Sequence, residues 1–115
     1  MSIRWRDEAL EDLDAIYLYI AVEKQNPVSA ERVINTIYEH TVETLGPHPM
    51  RGRKGRVPGT RELVNTRYPN YISVYELIDG EVEIISVRNT SRVIAVMNGS
   101  TMIASTRPEV RMPIP

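Results

Sequence analysis

Cysteine is absent from this 115-residue sequence, and histidine occurs only as His40 and His48. Without thiols the chain can form neither a disulfide framework nor a thiolate metal site, and two histidines are too few for a zinc site of the usual kind. No apolar run approaches the roughly 18 residues that a membrane helix requires. We therefore expect an unprocessed cytoplasmic protein that holds no metal or cofactor and engages no membrane.

Charge is distributed unevenly along the chain, although the net charge is only -1. Residues 1–50 carry nine acids and four bases, residues 51–67 carry six bases and one acid, and residues 68–115 carry five acids and four bases. The length predicts one domain with a small core. The middle segment, with a local charge of +5, is therefore the first place to look for function.

The basic segment is rich in glycine and also contains Pro58. These residues disfavour a regular helix, so we expect the cations to lie on a bent, exposed loop. A patch of this density attracts phosphate groups. The alternative is a solvated loop without a ligand, although such loops usually mix charges of both signs. The patch contains the following bases: Arg51, Arg53, Lys54, Arg56, Arg61 and Arg67.

Two amphipathic helices are predicted before the basic segment. A short strand over residues 3–5 leads into a helix from residue 8 to about residue 22, with Asp7 as its N-cap. The second helix has Asn26 as its N-cap, begins with proline and runs to about Leu45. The short link between them predicts an antiparallel helix hairpin.

Acids and histidines in these helices have structural interpretations. Asp12 and Asp14 lie near the start of the first helix, where the helix dipole favours negative charge, so a catalytic or metal-binding pair is the weaker interpretation. His40 lies beside the apolar stripe of the second helix and is interpreted as a boundary or surface residue rather than a ligand. His48 has no neighbour in sequence that would identify it as a base.

After the basic segment, the hydrophobic period changes from helical to alternating. A strand is predicted to begin at Glu62, followed by strands over residues 71–78 and 81–88. Asp79 and Gly80 between the last two predict a two-residue hairpin turn. The tyrosines of this region are interpreted as strand aromatics rather than base-stacking platforms: Tyr68, Tyr71 and Tyr75.

One face of the predicted sheet is apolar. Ile72, Val74 and Ile78 alternate along one strand, and Val82 and Ile84 alternate along its partner. We expect these five side chains to cover the helix pair. The predicted fold class is α+β, with an N-terminal helix hairpin packed on one face of a small antiparallel β-sheet.

The run from Gly52 to Val64, Gly-Arg-Lys-Gly-Arg-Val-Pro-Gly-Thr-Arg-Glu-Leu-Val, resembles the RelE/ParE toxins of type II toxin–antitoxin systems, a plasmid stabilisation family. The resemblance extends over about residues 3 to 92, and we interpret residues 1–92 as the toxin domain. It implies a small microbial-RNase-like α+β fold. The other residues that agree in order and spacing are Trp5, Ala9, Asp12, Leu13, Ile16, Tyr19, Ile20, Ala30, Leu45, Pro49, Tyr71, Tyr75 and Val82 to Ile84.

The resemblance also implies a toxin that is neutralised by a cognate antitoxin. Its target would be DNA gyrase or messenger RNA on the ribosome, and inhibition of gyrase is the first hypothesis. The alternatives are a ribosome-dependent mRNA interferase and a catalytically silent module that only binds an antitoxin. We expect the antitoxin to be acidic and partly disordered when free, and to wrap an amphipathic segment over the helix pair or lay a strand beside the sheet, forming a hetero-oligomer.

Site residues follow from the same resemblance. Arg53, Lys54, Arg56 and Arg61 would hold phosphate, and Arg88 would stabilise developing charge. If the protein is a nuclease, its catalytic residues would be Lys54, Arg61 and Arg88. Because arginine keeps its proton at any physiological pH, another group would have to transfer protons.

A proton carrier is difficult to identify in the sequence. Nucleases of the family often have a tyrosine or histidine near the last strand, whereas Asn89 stands where histidine is common. The remaining candidates are Lys54, Glu62 and Tyr75, and either Lys54 or Glu62 would need a pKa shifted towards neutrality. The sequence therefore predicts little or no cleavage of mRNA.

Residues 93–115 form an atypical extension, because the family usually ends soon after the last strand. Residues 93–104 have the pattern of a further hairpin with Asn98-Gly99 at its turn. The prolines that follow predict an extended or disordered end. The extension is either a partner-binding arm or an unrelated stretch appended by a changed reading frame or by cloning.

Overall fold

A computed structural model describes residues 2–90 of the chain. A five-stranded sheet has the order β1-β5-β4-β3-β2, in which β1 runs parallel to β5 and the other neighbours are antiparallel. The predicted class, a helix pair on one face of a small sheet, is confirmed. The elements are β1 Ile3–Trp5, α1 Asp7–Leu18, a π-helical turn Tyr19–Glu23, α2 Pro27–Leu45, β2 Arg53–Lys54, β3 Arg61–Val64, β4 Tyr71–Ile78 and β5 Glu81–Asn89.

The first helix begins one residue earlier than predicted. Arg6 occupies the N-cap position without a side-chain cap, and Asp7 is the first helical residue rather than the cap. The carboxylates of Asp7 and Glu8 still lie in the first turn, where the positive end of the helix dipole favours them. The π-helical turn extends the helical backbone to Glu23, close to the predicted end.

The second helix has the predicted start and end. Asn26 Oδ1 accepts a hydrogen bond from the Ser29 N–H at 3.1 Å, and proline follows at the first helical position. Near the C-terminal end of the helix, Thr41 Oγ1 donates to the Ile37 carbonyl at 2.8 Å and lies 2.8 Å from Ser73 Oγ. This buried polar contact joins α2 to β4.

The β4–β5 hairpin is as predicted. Asp79 and Gly80 form its two-residue turn with φ values of 51° and 78°. Two successive residues in the left-handed conformation match the right-handed twist of antiparallel strands. Aspartate and glycine, the two residues of this turn, both tolerate that conformation. The turn fixes the register of a ladder that runs from Ile78 opposite Glu81 to Tyr71 opposite Asn89.

The prediction for the helix-covered face of β4 was wrong. Tyr75 is fully buried in the core and Ser73 contacts α2, so the residues that alternate with them, including Ile72 and Val74, belong to the other face. Ile78 is 40% exposed. A one-residue difference in phase exchanges the two faces of a strand, and the size and hydrogen-bonding capacity of Tyr75 decide the phase here.

On β5 the prediction was correct for the first half of the strand. Val82 and Ile84 are fully buried, but the ladder then shifts: Val74 pairs with Ser86 and Tyr75 with Ile84, which leaves Ile85 unpaired with β4. The bulge changes the alternation, so that Val87 is the next residue to enter the core.

Two apolar clusters fill the space between helices and sheet. Trp5 packs against both clusters and stacks on Tyr38 with ring centroids 5.0 Å apart. One cluster contains Ala9, Leu45, Leu63, Tyr75, Val82 and Ile84, and the other contains Leu13, Ile16, Val33, Ile37 and Val87.

No helix within residues 2–90 is both long enough and apolar enough to cross a bilayer. The predicted hairpin over residues 93–104 and the proline-rich end lie outside the described residues, and the proposed boundary at residue 92 does too.

Candidate functional site

The basic segment forms a β-hairpin rather than the expected irregular loop. Arg53 pairs with Glu62 and Lys54 with Arg61, so β3 begins one residue before its predicted start. We call residues 53–64, which comprise β2, β3 and their connection, the basic hairpin. The two-residue strand escapes detection because a pattern of alternation cannot be recognised over two residues.

Hydrogen bonds within the connection close the basic hairpin. The Gly55 N–H donates to the Thr60 carbonyl at 2.8 Å. The Thr60 N–H and hydroxyl both donate to the Val57 carbonyl, at 3.1 and 2.7 Å. The connection is therefore an ordered turn, and it fixes the backbone positions of Lys54 and Arg61 at its two ends.

Pairing places the predicted phosphate-binding residues on opposite faces of the basic hairpin. Arg53 lies opposite Glu62 on one face, and Lys54 lies opposite Arg61 on the other. Arg88 joins the first group because its Nη2 is 3.2 Å from Glu62 Oε2. The structure therefore brings Arg53 and Arg88 together and separates them from Lys54 and Arg61.

Glu62 is the centre of the first group, which we call the Glu62 cluster: Arg53, Glu62 and Arg88. The Glu62 carboxylate is almost fully buried and accepts hydrogen bonds from Arg53 Nε and Nη2 at 3.3 and 3.2 Å and from the Arg56 N–H at 3.3 Å. Burial alone would raise its pKa, but these donors and the Arg88 charge outweigh burial and hold the pKa below its ordinary value. Glu62 therefore stays ionised near neutral pH.

Arg61 has a different environment from the other cations. Its Nη2 donates to the Met50 carbonyl at 3.1 Å and to the Gly52 carbonyl. Its Nε is buried without a hydrogen-bond partner among residues 2–90. The guanidinium thus holds the chain that enters β2 against β3, which is a structural contact.

Tyr75, on the core side of β4, also holds the segment that leads into β2. Its hydroxyl donates to the Pro49 carbonyl at 2.7 Å and accepts from the Gly52 N–H at 3.0 Å. A Cβ atom at position 52 would lie 2.7 Å from that hydroxyl and 2.8 Å from the Glu62 carbonyl oxygen, so only glycine fits. The core tyrosine is therefore part of the support of the basic hairpin.

The sequence profile of a protein family, described as the ParE toxin of the type II toxin–antitoxin system parDE, matches residues 3–94. The chain belongs to the ParE toxin family. This finding confirms the resemblance seen between Gly52 and Val64, and it identifies the protein as a type II toxin of the ParE/RelE superfamily.

Individual relatives agree with this assignment. Over 85 residues the chain is 45% identical to the protein Y4kP of Sinorhizobium fredii, a match that covers 74% of this chain and 83% of the relative. It is 34% identical over 92 residues to toxin RelE2 of Caulobacter vibrioides, covering 80% and 98%. Each match covers about three quarters or more of this chain.

Solved structures show the same fold. A chain of the chromosomal ParDE system of P. aeruginosa superposes with a TM-score of 0.67 at 29% identity, covering 77% of this chain and 95% of that one. A chain of the toxin–antitoxin complex RelBE2 of Mycobacterium tuberculosis superposes with a TM-score of 0.53 at 24% identity, covering 76% and 95%. The second similarity concerns the fold alone.

Two open depressions flank the basic hairpin of this ParE-family chain. The first, which we call the apolar groove, has a volume of about 390 Å³ and is lined by residues that include Lys54, Met50, Val57 and Leu77. Met50 is 59% exposed, Val57 63% and Leu77 37%. The groove therefore exposes three apolar side chains beside the Lys54 cation.

The second depression, which we call the edge cleft, has a volume of about 310 Å³ and lies between α2 and the outer edge of the sheet. Sequence reasoning missed it, because His40 belongs to a helix and its proximity to the basic hairpin depends on tertiary packing. Burial lowers the His40 pKa, while the Glu43 charge opposes that shift. The polar residues that line the edge cleft are His40, Thr44, Arg51, Arg53, Glu62 and Thr66.

The roles assigned to Arg53, Lys54, Arg56, Arg61 and Arg88 stay predictions for this ParE-family toxin. Of these, Arg53, Lys54 and Arg56 are exposed, and Arg56 contacts Glu62 only through its backbone. Within residues 2–90 no group of three His, Asp or Glu side chains is arranged to hold a metal ion.

Proposed function

We propose that this ParE-family toxin inhibits DNA gyrase in the cytoplasm and that a cognate antitoxin neutralises it. The choice of gyrase over RNA rests on the charge, burial and position of the three candidate proton carriers, which are Glu62, Tyr75 and Lys54. Glu62 is held ionised, and Tyr75 is fully buried with its hydroxyl engaged by Pro49 and Gly52. Lys54 lies on the opposite face of the basic hairpin from Arg53 and the Glu62 cluster. Tyr75 and Lys54 therefore do not lie beside Arg88, and Glu62, which does, has both carboxylate oxygens engaged by Arg53, Arg88 and the Arg56 N–H.

The apolar groove supports a protein target. Met50 and Val57 are more than half exposed beside Lys54, a combination that a phosphate backbone does not require. Protein interfaces usually combine a buried apolar centre with a charged rim. An acidic, partly apolar surface of gyrase would complement the groove.

Antitoxin binding is supported by the helix pair. Apolar side chains are exposed along it, including Leu10 at 44%, Leu18 at 54%, Val22 at 65% and Val28 at 67%. An amphipathic segment could cover them by the usual helix-in-groove mode. The similar chain of solved structure at 29% identity comes from the ParDE toxin–antitoxin system of P. aeruginosa, which also favours a hetero-oligomer with an antitoxin.

Two measurements test the choice of target. Induction of the chain alone should arrest growth and trigger the DNA damage response before protein synthesis falls. The purified chain should inhibit supercoiling by gyrase, and an Arg56→Glu variant should lose that inhibition. A chain that stops translation first and leaves supercoiling unaffected would contradict the proposal.

Ribosome-dependent cleavage of mRNA is the second candidate, and His40 favours it. The imidazole lies in the edge cleft with Arg53, so it would supply the acid–base group that Asn89 does not. On programmed ribosomes this function predicts codon-positioned cleavage that His40→Gln abolishes and His48→Gln preserves. A protein that binds its antitoxin but causes no growth arrest would instead be the silent binding module.

A further inference from the structure

The edge cleft combines positive charge with hydroxyl groups. Arg51 is exposed at its rim, Arg53 contributes a second guanidinium, and Thr44 and Thr66 supply hydroxyl donors from α2 and from the chain after β3. Arginine and hydroxyl side chains are the usual donors to phosphate oxygens. The volume of about 310 Å³ is at the lower end of the range for small-ligand sites, roughly 300 to 1,000 Å³.

The one acid in the cleft does not oppose an anion strongly. Glu62 is already compensated by Arg53, by Arg88 at 3.2 Å and by the Arg56 N–H. Arg53 contacts Glu62 through Nε and Nη2, and a guanidinium has five N–H donors, so further donors remain. Arg51 makes no ion pair within residues 2–90, which leaves its charge available.

His40 is the feature that distinguishes this cleft from a solvated basic surface. Its Nδ1 is buried and has no hydrogen-bond partner among the described residues, although the side chain as a whole is only partly buried. The buried Nδ1 is not open to a ligand, but the imidazole lines the cleft together with Arg51 and Arg53, so an anion bound there would favour its protonated form.

We propose that the edge cleft is a binding site for a phosphate group, held by Arg51 and Arg53 and sensed by His40. A nucleotide and a nucleic-acid backbone present the same phosphate oxygens to these residues. The site lies on the α2 side of the sheet edge and includes residues outside the predicted phosphate set, so it does not depend on the choice of gyrase or RNA as target.

Binding should be linked to protonation of His40. The charged groups around it are Glu43 on its own helix and Arg51, Arg53 and Glu62 from the hairpin side. A bound phosphate adds negative charge and raises the pKa of the imidazole, so the complex takes up a proton. Phosphate affinity should therefore rise as pH falls through the His40 pKa of the complex.

The chain contains two histidines, which provide an internal control. In NMR titrations of the whole purified chain, inorganic phosphate should raise the His40 pKa by about one unit, the effect expected of an opposite charge nearby. His48, on an exposed turn outside the cleft, should not change. Sodium chloride at equal ionic strength should leave both pKa values unchanged. Equal shifts of the two histidines, or no shift of His40, would overturn the proposal.

Variants locate the site. Arg51→Ala should weaken phosphate binding about tenfold, whereas Arg32→Ala, an exposed arginine elsewhere on α2, should not. Equal affinities for the two variants would also overturn the proposal.

A second experiment identifies the source of the phosphate. A short single-stranded oligonucleotide that raises the His40 pKa as phosphate does identifies a nucleic-acid backbone as the ligand. A response confined to inorganic phosphate and mononucleotides identifies a small phosphorylated ligand.

Discussion

The two hairpins of this sheet are stabilised in different ways. β4 and β5 form eight residue pairs across a two-residue turn and bury Tyr75, Val82 and Ile84 against the helices. β2 and β3 form two pairs across a six-residue connection, and both β2 side chains are exposed. The first hairpin is held by its ladder and the apolar core, whereas the second depends on polar side chains that reach it from elsewhere.

This difference shows how a toxin of this size can present a defined charged surface. Tyr75 belongs to the core, yet its hydroxyl fixes the segment that enters β2, and Arg61 fixes the same segment from β3. Because each polar contact starts from a residue anchored in the sheet, the basic hairpin is positioned without a core of its own. Its exposed side chains are then free for binding.

The largest effect should follow from a cavity under the β4–β5 hairpin. Ile84→Ala removes a fully buried side chain, so we expect a loss of about 2–5 kcal/mol in the free energy of unfolding. Ile85→Ala is the matched control, because Ile85 is only partly buried at the bulge and should cost less. Urea denaturation of both variants measures the difference. Equal losses would mean that the bulge does not divide core from surface.

A smaller effect should follow from a methyl group under the basic hairpin. The Cβ of Gly52→Ala would lie 2.7 Å from the Tyr75 hydroxyl, and overpacking of this kind costs about 1–3 kcal/mol. Hydrogen exchange should accelerate at the amides of β2 and β3 and stay unchanged in β5. Uniform acceleration across both hairpins would show that they unfold as one unit, contrary to the comparison.

Glu62 should make the stability of the fold sensitive to acid. Its pKa is below the ordinary value of 4.5, so its contribution is present above that pH and is lost as pH falls through the folded-state pKa. Glu62→Gln should therefore be less stable than the parent chain at pH 7 and should lose less stability below pH 4.5. Denaturation midpoints across pH 2–7 measure this, and parallel curves would contradict it.

Asp12 should show the opposite dependence. It lies on α1 and accepts a hydrogen bond from the Val87 N–H of β5 at 2.9 Å, but burial raises its pKa from 3.8 to about 6. A raised carboxyl pKa means that the folded state binds the extra proton, so stability falls as pH rises from about 3.8 to about 6. Asp12→Asn should remove this slope. A variant whose slope equals that of the parent chain would rule out Asp12 as its source.

The comparison also explains how much the sequence could predict. Asp79-Gly80 and Asn26-Pro27 are local signals, and both predicted their structures correctly. The covered face of β4 could not be assigned from alternation, because both faces carry apolar residues and the choice depends on partners of Tyr75 that are distant in sequence. The splitting of Arg53 and Lys54 between two faces requires the strand β2, whose two residues give no periodic signal. The edge cleft likewise exists only once α2 packs beside the sheet.

The smallest effect on stability should accompany a complete loss of function. The Arg56 side chain is exposed and only its backbone N–H contacts Glu62, so Arg56→Glu should change the free energy of unfolding by no more than about 0.5 kcal/mol. Toxicity should nevertheless disappear, because the reversed charge opposes an acidic target.

Arg61→Ala should weaken toxicity by a different route, since it releases the carbonyls of Met50 and Gly52 and so loosens the basic hairpin. Arg67→Glu, an exposed charge reversal outside the hairpin, is the control for net charge. Growth after induction, read beside hydrogen exchange of β2 and β3, separates the two routes. If Arg56→Glu stayed fully toxic while Arg67→Glu did not, the target would contact the chain after β3 rather than the basic hairpin.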